Sequence, residues 1–260
     1  MSVHPLATPP RPRGPLHGVG IVVTRPARQA AALVSQLAAL DATPVVFPAI
    51  AILPPTDPAP LARAHACLAE YDAVIFVSAN AAEYGAPGRW PANVAAFATG
   101  PGTAAALTAL GVGGVRIPDT TFDTEGLLAL PALSEVAGKR IVIFRGEGGR
   151  NLLGDALRAR GARVDYVDCY RRERPASGAG GLAQALRDGR VQALTITSSE
   201  ALDNLCAMLD AGDRERLAGV PVFAPHPHIA GHARALGFQA VDTGGGDAGL
   251  VAGLLEWFAR

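Results

Sequence analysis

Six short stretches of this chain place hydroxyls, glycines and arginines directly after runs of apolar residues. They are Thr24-Arg25-Pro26, Ser78-Ala79-Asn80, residues 99–103, residues 145–150, Thr197-Ser198-Ser199 and residues 225–229. A short apolar run bounded in this way reads as a buried strand, and the stretch behind it as the start of a helix. Helix N-termini carry free N–H groups and the positive end of the helix dipole, so they attract anions. Arginine adds a planar fork of donors that matches a carboxylate. One Ser, Thr or Asn at such a place is equally well read as a helix N-cap; six stretches of the same kind point to a surface for an anionic ligand. The candidate ligand-binding residues are Arg25, Ser78, Asn80, Thr103, Arg145, Gly146, Arg150, Ser198, Ser199 and His228. Tyr170 stands apart, an ionisable side chain at the end of an apolar run beside Arg171 and Arg172. It reads either as a proton donor or as a half-buried packing residue.

Other chemistries lack their residues. Residues 146–151, GEGGRN, follow a strand pattern and open a helix, but a dinucleotide fingerprint needs glycine where Asn151 stands. No phosphate-binding GxxxxGK[ST] exists, and the sole lysine, Lys139, lies before the strand. There is no GxSxG elbow, no HExxH and no pair of carboxylates that the sequence brings together. Cys67, Cys169 and Cys206 are far apart, an odd count that fits a reducing compartment rather than a disulfide frame. His226, His228 and His232 have no cysteine or carboxylate at ligand spacing, so no metal is expected. A formal net charge of zero argues against a broad basic field for nucleic acid. No apolar run is long enough to cross a bilayer, and residues 1–17 read as a proline-rich disordered tail without a signal-peptide core. The expectation is a cytoplasmic protein that needs no cofactor and works by holding its ligand.

The elements that must position these residues alternate strand and helix almost to the end, the pattern of a parallel sheet with helices on both faces. Residues 139–172 read as strand, glycine-rich turn, helix and strand, and residues 20–52 are an earlier copy. Ile21 answers Ile141, Arg25 answers Arg145 and Ser78 answers Ser198, each 120 positions apart. Leu110-Gly111 answers Leu236-Gly237 at an offset of 126. Gly161 stands where a helix ends in a left-handed residue. Further strands are expected at 44–52 and 115–117, with Pro48 marking an edge or connector. The chain therefore reads as two similar α/β units of flavodoxin or Rossmann type.

The order of these motifs resembles uroporphyrinogen-III synthases. The residues that carry the likeness are TRP near the start, S-x-N at 78–80 and G-P-x-T-A at 100–104. They continue with EGLL at 125–128, RG-x-G-x-R at 145–150, Tyr170-Arg171, T-S-S at 197–199 and a last A-G-L helix. The resemblance implies an enzyme of haem and tetrapyrrole synthesis that closes the linear polycarboxylate hydroxymethylbilane into uroporphyrinogen III. Ring D is inverted and water is lost, with no cofactor, no nucleic acid and no membrane partner. A transient handover from the preceding enzyme of the pathway would supply the unstable substrate. It also implies two lobes joined by a two-stranded connector. Here lobe 1 would be 18–46 with 176–260, lobe 2 would be 54–165, and the connector strands 47–53 and 166–175. Tyr170 matches the family tyrosine thought to assist water loss. Where the family often has G-P-x-T in the second lobe, this chain reads His226-Pro227-His228-Ile229, so that His228 is the candidate to stand in for the threonine. The other reading is a two-lobe binding or regulatory protein that holds a small anion without catalysis.

Overall fold

A computed structural model of the chain describes residues 13–259. The chain begins with β1 (Gly20–Val23), α1 (Ala27–Ala39), β2 (Thr43–Val46), β3 (Ala51–Leu53) and α2 (Ala59–Ala66). It continues through β4 (Ala73–Phe76), α3 (Ala79–Gly85), β5 (Ala95–Ala98), α4 (Pro101–Ala109) and α5 (Thr124–Ala129). Then follow β6 (Arg140–Gly146), α6 (Leu152–Ala159), β7 (Arg163–Glu173), α7 (Gly180–Arg187) and β8 (Ala193–Thr195). The last elements are α8 (Ser199–Met208), α9 (Ala211–Ala218), β9 (Val222–Ala224), α10 (Pro227–Ala235), β10 (Ala240–Asp242) and α11 (Gly246–Phe258). Two compact units result, one from residues 1–51 with 174–260 and one from residues 52–173.

The first unit is a five-stranded sheet in the order β10-β9-β8-β1-β2, with every adjacent pair parallel. β1 is buried along its whole length, as a central parallel strand covered on both faces must be. Ile21 and Val23 point to one face, where Leu33 and Leu37 of α1, Phe223 of β9 and Leu250 and Leu254 of α11 close over them. Leu16 joins this core, fully buried, and its N–H donates to the Leu40 carbonyl. Of the expected tail, residues 1–12 lie outside the described residues, while Leu16 is a folded part of the unit: a leucine that can cover β1 and cap the end of α1 gains more by burial than by exposure.

The second unit is a sheet in the order β3-β7-β6-β4-β5, and the β7-β6, β6-β4 and β4-β5 pairs are parallel. Successive side chains of a strand leave opposite faces, so Val142 and Phe144 meet Val74 and Phe76 on one face, whereas Ile141 and Ile143 join Ala73 and Ile75 on the other. The Phe76 and Phe144 rings stack at 5.0 Å. The 120-residue repeat is thus a repeat of sheet: β9-β8-β1-β2 in one unit has the arrangement of β5-β4-β6-β7 in the other.

Two expected strands come out differently. Residues 44–52 are not one extended stretch. β2 stops at Val46, and Pro48, lacking an N–H, stands in the break before β3. β3 lies beside β7 at the edge of the second sheet, so the residues expected to form connector strands are in part sheet members. Residues 115–117 give only a single parallel bridge, Arg116 to Phe97. Gly114, with φ +65°, bends the chain before it, and Pro118 ends the pairing after it.

Candidate active site

In a parallel sheet the residues that follow the strands cluster at the carboxyl edge. In the second unit, this edge is organised around Tyr170. β7 pairs with β6 in simple register up to Arg145 opposite Asp168; the next pair is Gly146 opposite Tyr170, so that Cys169 is an extra residue in β7. Such a bulge resets the alternation of faces. Val164 and Tyr166 pack on one face of the sheet, whereas Val167, Cys169 and also Tyr170 pack on the other. In unbroken alternation Tyr170 would share the face of Tyr166. The bulge instead carries its ring into the core, where the residue is only 2% exposed.

The phenol meets two polar groups there, Ser78 Oγ at 3.2 Å and the Arg172 guanidinium, which donates to its oxygen at 3.1 Å. Ser78 follows β4 and caps α3, its hydroxyl oxygen accepting the Ala81 N–H at 3.0 Å. Gly146 makes room for the ring: a Cβ at this position would stand 2.7 Å from Tyr170 Cζ. Asn80, in the first turn of α3, is buried. Burial also pushes the Cys169 thiol up to about 12, so this cysteine stays protonated and is no nucleophile at neutral pH.

Arg145 and Arg150 lie by a pocket of about 310 Å³ whose lining includes Thr99, Phe122, Ile143 and Tyr166. The Arg145 guanidinium sits 4.0 Å from the Tyr166 ring centroid, donates to Asp168 at 2.8 Å and to Asn151 Oδ1 at 2.7 Å, and reaches the Gly149 carbonyl. Its Nε and Nη1 donors are committed to the protein, and those of Nη1 fold the loop that carries Arg150. Arg150 is exposed and makes no ion pair among the described residues. Thr103, in the first turn of α4, is buried with its hydroxyl 3.5 Å from that of Thr99.

The first unit repeats the same local chemistry. Ser198 follows β8 and caps α8 by accepting the Ala201 N–H at 3.1 Å, as Ser78 does for α3. Arg25, just past β1, pairs with Asp247 in the first turn of α11 at 2.5 Å. Ser199 Oγ stands 3.5 Å from His228 Nε2, both at the surface. At the offset of 126 that aligns Pro101 with Pro227, His228 answers Gly102 and the buried Ile229 answers Thr103.

The structure therefore brings Tyr170, Ser78 and Gly146 into one cluster and sets Arg145 and Arg150 by a pocket. Arg25, Ser198, Ser199 and His228 belong to the other unit. Arg172, Tyr166, Asp168 and Asp247 are side-chain partners of these candidates that were not themselves among them. Arg172 carries a signal all the same, since it is two residues beyond Tyr170 on a strand and so leaves the same face. Asp247 carries a weaker one, an acid opening a helix after Gly244-Gly245-Gly246.

A family model described as uroporphyrinogen-III synthase HemD matches residues 31–243. The chain belongs to the uroporphyrinogen-III synthase family. The uroporphyrinogen-III synthase of Salmonella typhimurium is 37% identical over 232 residues, covering 86% of this chain and 94% of that protein. The Escherichia coli protein of the same name is 34% identical over 232 residues, with 86% and 94% covered. The one from Synechococcus elongatus is 33% identical over 229 residues, with 83% and 86% covered. Among solved structures, the uroporphyrinogen-III synthetase of Helicobacter pylori superposes with a TM-score of 0.55 at 13% identity, covering 91% of this chain and 98% of that one. A mutant uroporphyrinogen III synthase of Thermus thermophilus gives 0.54 at 22%, covering 92% and 98%. These two likenesses are of fold, and the fold they share is the two-unit α/β architecture described above. Membership places the chain among the enzymes of tetrapyrrole synthesis. No helix among the described residues is long and apolar enough to cross a membrane.

Proposed function

We propose that this chain converts hydroxymethylbilane to uroporphyrinogen III as a hydro-lyase, with Tyr170 as the proton donor that helps the hydroxyl depart as water. The observation that carries the reading is the buried Tyr170 phenol, held between Ser78 Oγ at 3.2 Å and the Arg172 guanidinium at 3.1 Å in a member of this family. Loss of the hydroxyl leaves a cation on the terminal methylene. Ring D is then attacked at its substituted carbon, and the spiro intermediate fragments and recloses with the ring inverted. The free substrate closes unaided without inversion, so the protein's larger contribution is to hold the chain in the conformation that inverts.

Arginines and helix N-termini suit the substrate's many carboxylates. Arg150, exposed and without an ion-pair partner among the described residues, is the best placed to bind one directly. Ser78, Asn80, Thr103, Ser198, Ser199 and His228 would supply further donors. Arg25 and Arg145, already paired with Asp247 and Asp168, would act by shaping the loops around them. A cytoplasmic setting fits the three free cysteines, and a short-lived substrate would favour direct handover from the enzyme that makes it.

Ile229 favours a second reading, a binding or regulatory protein, because it puts a buried apolar side chain where the other unit has Thr103. One assay separates the two. Hydroxymethylbilane is generated in place, purified chain is added, and the oxidised products are resolved into type I and type III isomers. Type III above the protein-free control is expected. Type I alone would leave the binding reading standing.

A further inference from the structure

We infer that Arg172 is a positioning residue for Tyr170, fixing the phenol as a donor toward the ligand. The inference rests on the reading of Tyr170 as the acid. The heavy atoms around the phenol have little freedom. The ring is buried in the core of the second unit, bounded by Gly146, where a Cβ would come within 2.7 Å, and by Tyr84 at 6.3 Å between ring centroids. What remains free is the hydroxyl hydrogen.

An arginine side chain has five donors and no acceptor. Arg172 Nη2, 3.1 Å from the phenol oxygen, therefore occupies a lone pair and cannot receive the phenol's proton. Ser78 Oγ, at 3.2 Å, can play either part. It already accepts the Ala81 N–H, and a hydroxyl oxygen has room for one more donor. Two proton arrangements follow without moving a heavy atom. In one, the phenol donates to Ser78. In the other, Ser78 turns its own hydrogen to the phenol oxygen, which then holds two incoming donors and has only its proton to offer outward. An acceptor on the ligand selects the second.

Arg172 is what makes this choice two-way. Without it the phenol oxygen keeps a free lone pair, and the hydroxyl hydrogen has a third direction, toward the place the guanidinium held. The guanidinium carbon also lies 5.5 Å from the centre of the Tyr170 ring, so a fixed positive charge faces the group that takes on negative charge as its proton leaves. The pairing follows from the strand: Tyr170 and Arg172 are two residues apart on β7, beyond the bulge, and leave the same face.

The test compares the parent chain with Arg172→Ala, Arg172→Lys, Tyr170→Phe and the double variant Tyr170→Phe/Arg172→Ala, measuring kcat and KM for type III formation. Thermal midpoints and the Cζ chemical shift of Tyr170 in chain labelled with [13C]tyrosine are recorded alongside. Arg172→Ala should lower kcat about tenfold with KM changed by less than about twofold, the signature of an interaction made in the transition state. It should also move the Tyr170 Cζ signal. Lysine, which keeps a cationic donor, should restore kcat to within about threefold. In the Tyr170→Phe background, removing Arg172 should change kcat by less than about twofold, because the two act as a unit.

A rise in KM with kcat retained would overturn the inference, since Arg172 would then be binding a ligand carboxylate itself. An equal loss in both backgrounds, or a Cζ signal that stays in place, would overturn it too. If the parent makes type III and Tyr170→Phe keeps full kcat, the tyrosine's role and this inference fall while the activity stands. A parent that makes type I alone defeats the functional reading and the inference together.

Discussion

At the scale of single residues, the two arginines by the second-unit pocket have opposite environments and should behave oppositely. Arg145 stacks on Tyr166 and donates to Asp168 and Asn151, so truncating it leaves a carboxylate and an amide without their donor. Arg150 holds nothing comparable. Arg145→Ala is expected to lower stability by about 2 kcal/mol, the cost of a charge-assisted hydrogen bond and its stacking, read as a shift in the urea midpoint. Arg150→Ala should leave that midpoint in place and raise KM several-fold. If Arg145→Ala were neutral in urea and raised KM instead, the assignment of Arg145 to the scaffold would be wrong. Both arginines are visible in the sequence as members of one loop. Their division of labour is not, because which donors are already satisfied depends on what β7 places beneath the loop.

At the scale of elements, the repeated N-caps are legible in the residue order alone. A serine behind an apolar run, followed by helix-forming residues, predicts the bond from the N–H three residues on, and both Ser78 and Ser198 make it. The helices α7 and α9 stand outside the repeated serine caps, although Asp210 offers α9 the same capping chemistry. They are joined by Arg187, which donates to Asp213, itself buried, at 2.5 Å. Asp210 caps α9 by accepting the Asp213 N–H, and that bond, assisted by Arg187 and Arg216, holds the Asp210 carboxyl below its usual value. A depressed carboxylate stabilises the folded chain above its unfolded pKa of about 3.9, and the contribution is lost as pH falls through the lower folded value. Asp210→Ala should therefore differ most from the parent in thermal midpoint near neutral pH and converge with it below about pH 4. A gap that stayed constant down to about pH 3 would mean the charge contributes nothing.

At the scale of the whole molecule, the two units differ in how they are drawn from the chain. The second is one continuous segment, residues 52–173, whereas the first needs residues from both ends. The second unit has a complete five-stranded sheet with a core on each face. Expressed alone, residues 52–173 should fold with a helical and sheet circular-dichroism signal and a cooperative urea transition. Residues 1–51 alone should not, because β1 would lack its partner β8. A 52–173 fragment that unfolds without a cooperative transition would show that its sheet depends on the other unit.

Apolar period, turn glycines and capping hydroxyls are local signals, so the alternation of strand and helix, the repeat at 120 residues and the helix starts can all be read along the chain. Its neighbours also mark Tyr170 as chemically unusual. The direction that tyrosine faces is settled in three dimensions. A bulge between β6 and β7 is a mismatch between two strands, and one strand's residues carry no record of the partner's register. The same holds for Arg145 and for Ile229. Whether a donor is spent, or a side chain buried, is settled by segments distant in the chain that the fold alone brings alongside.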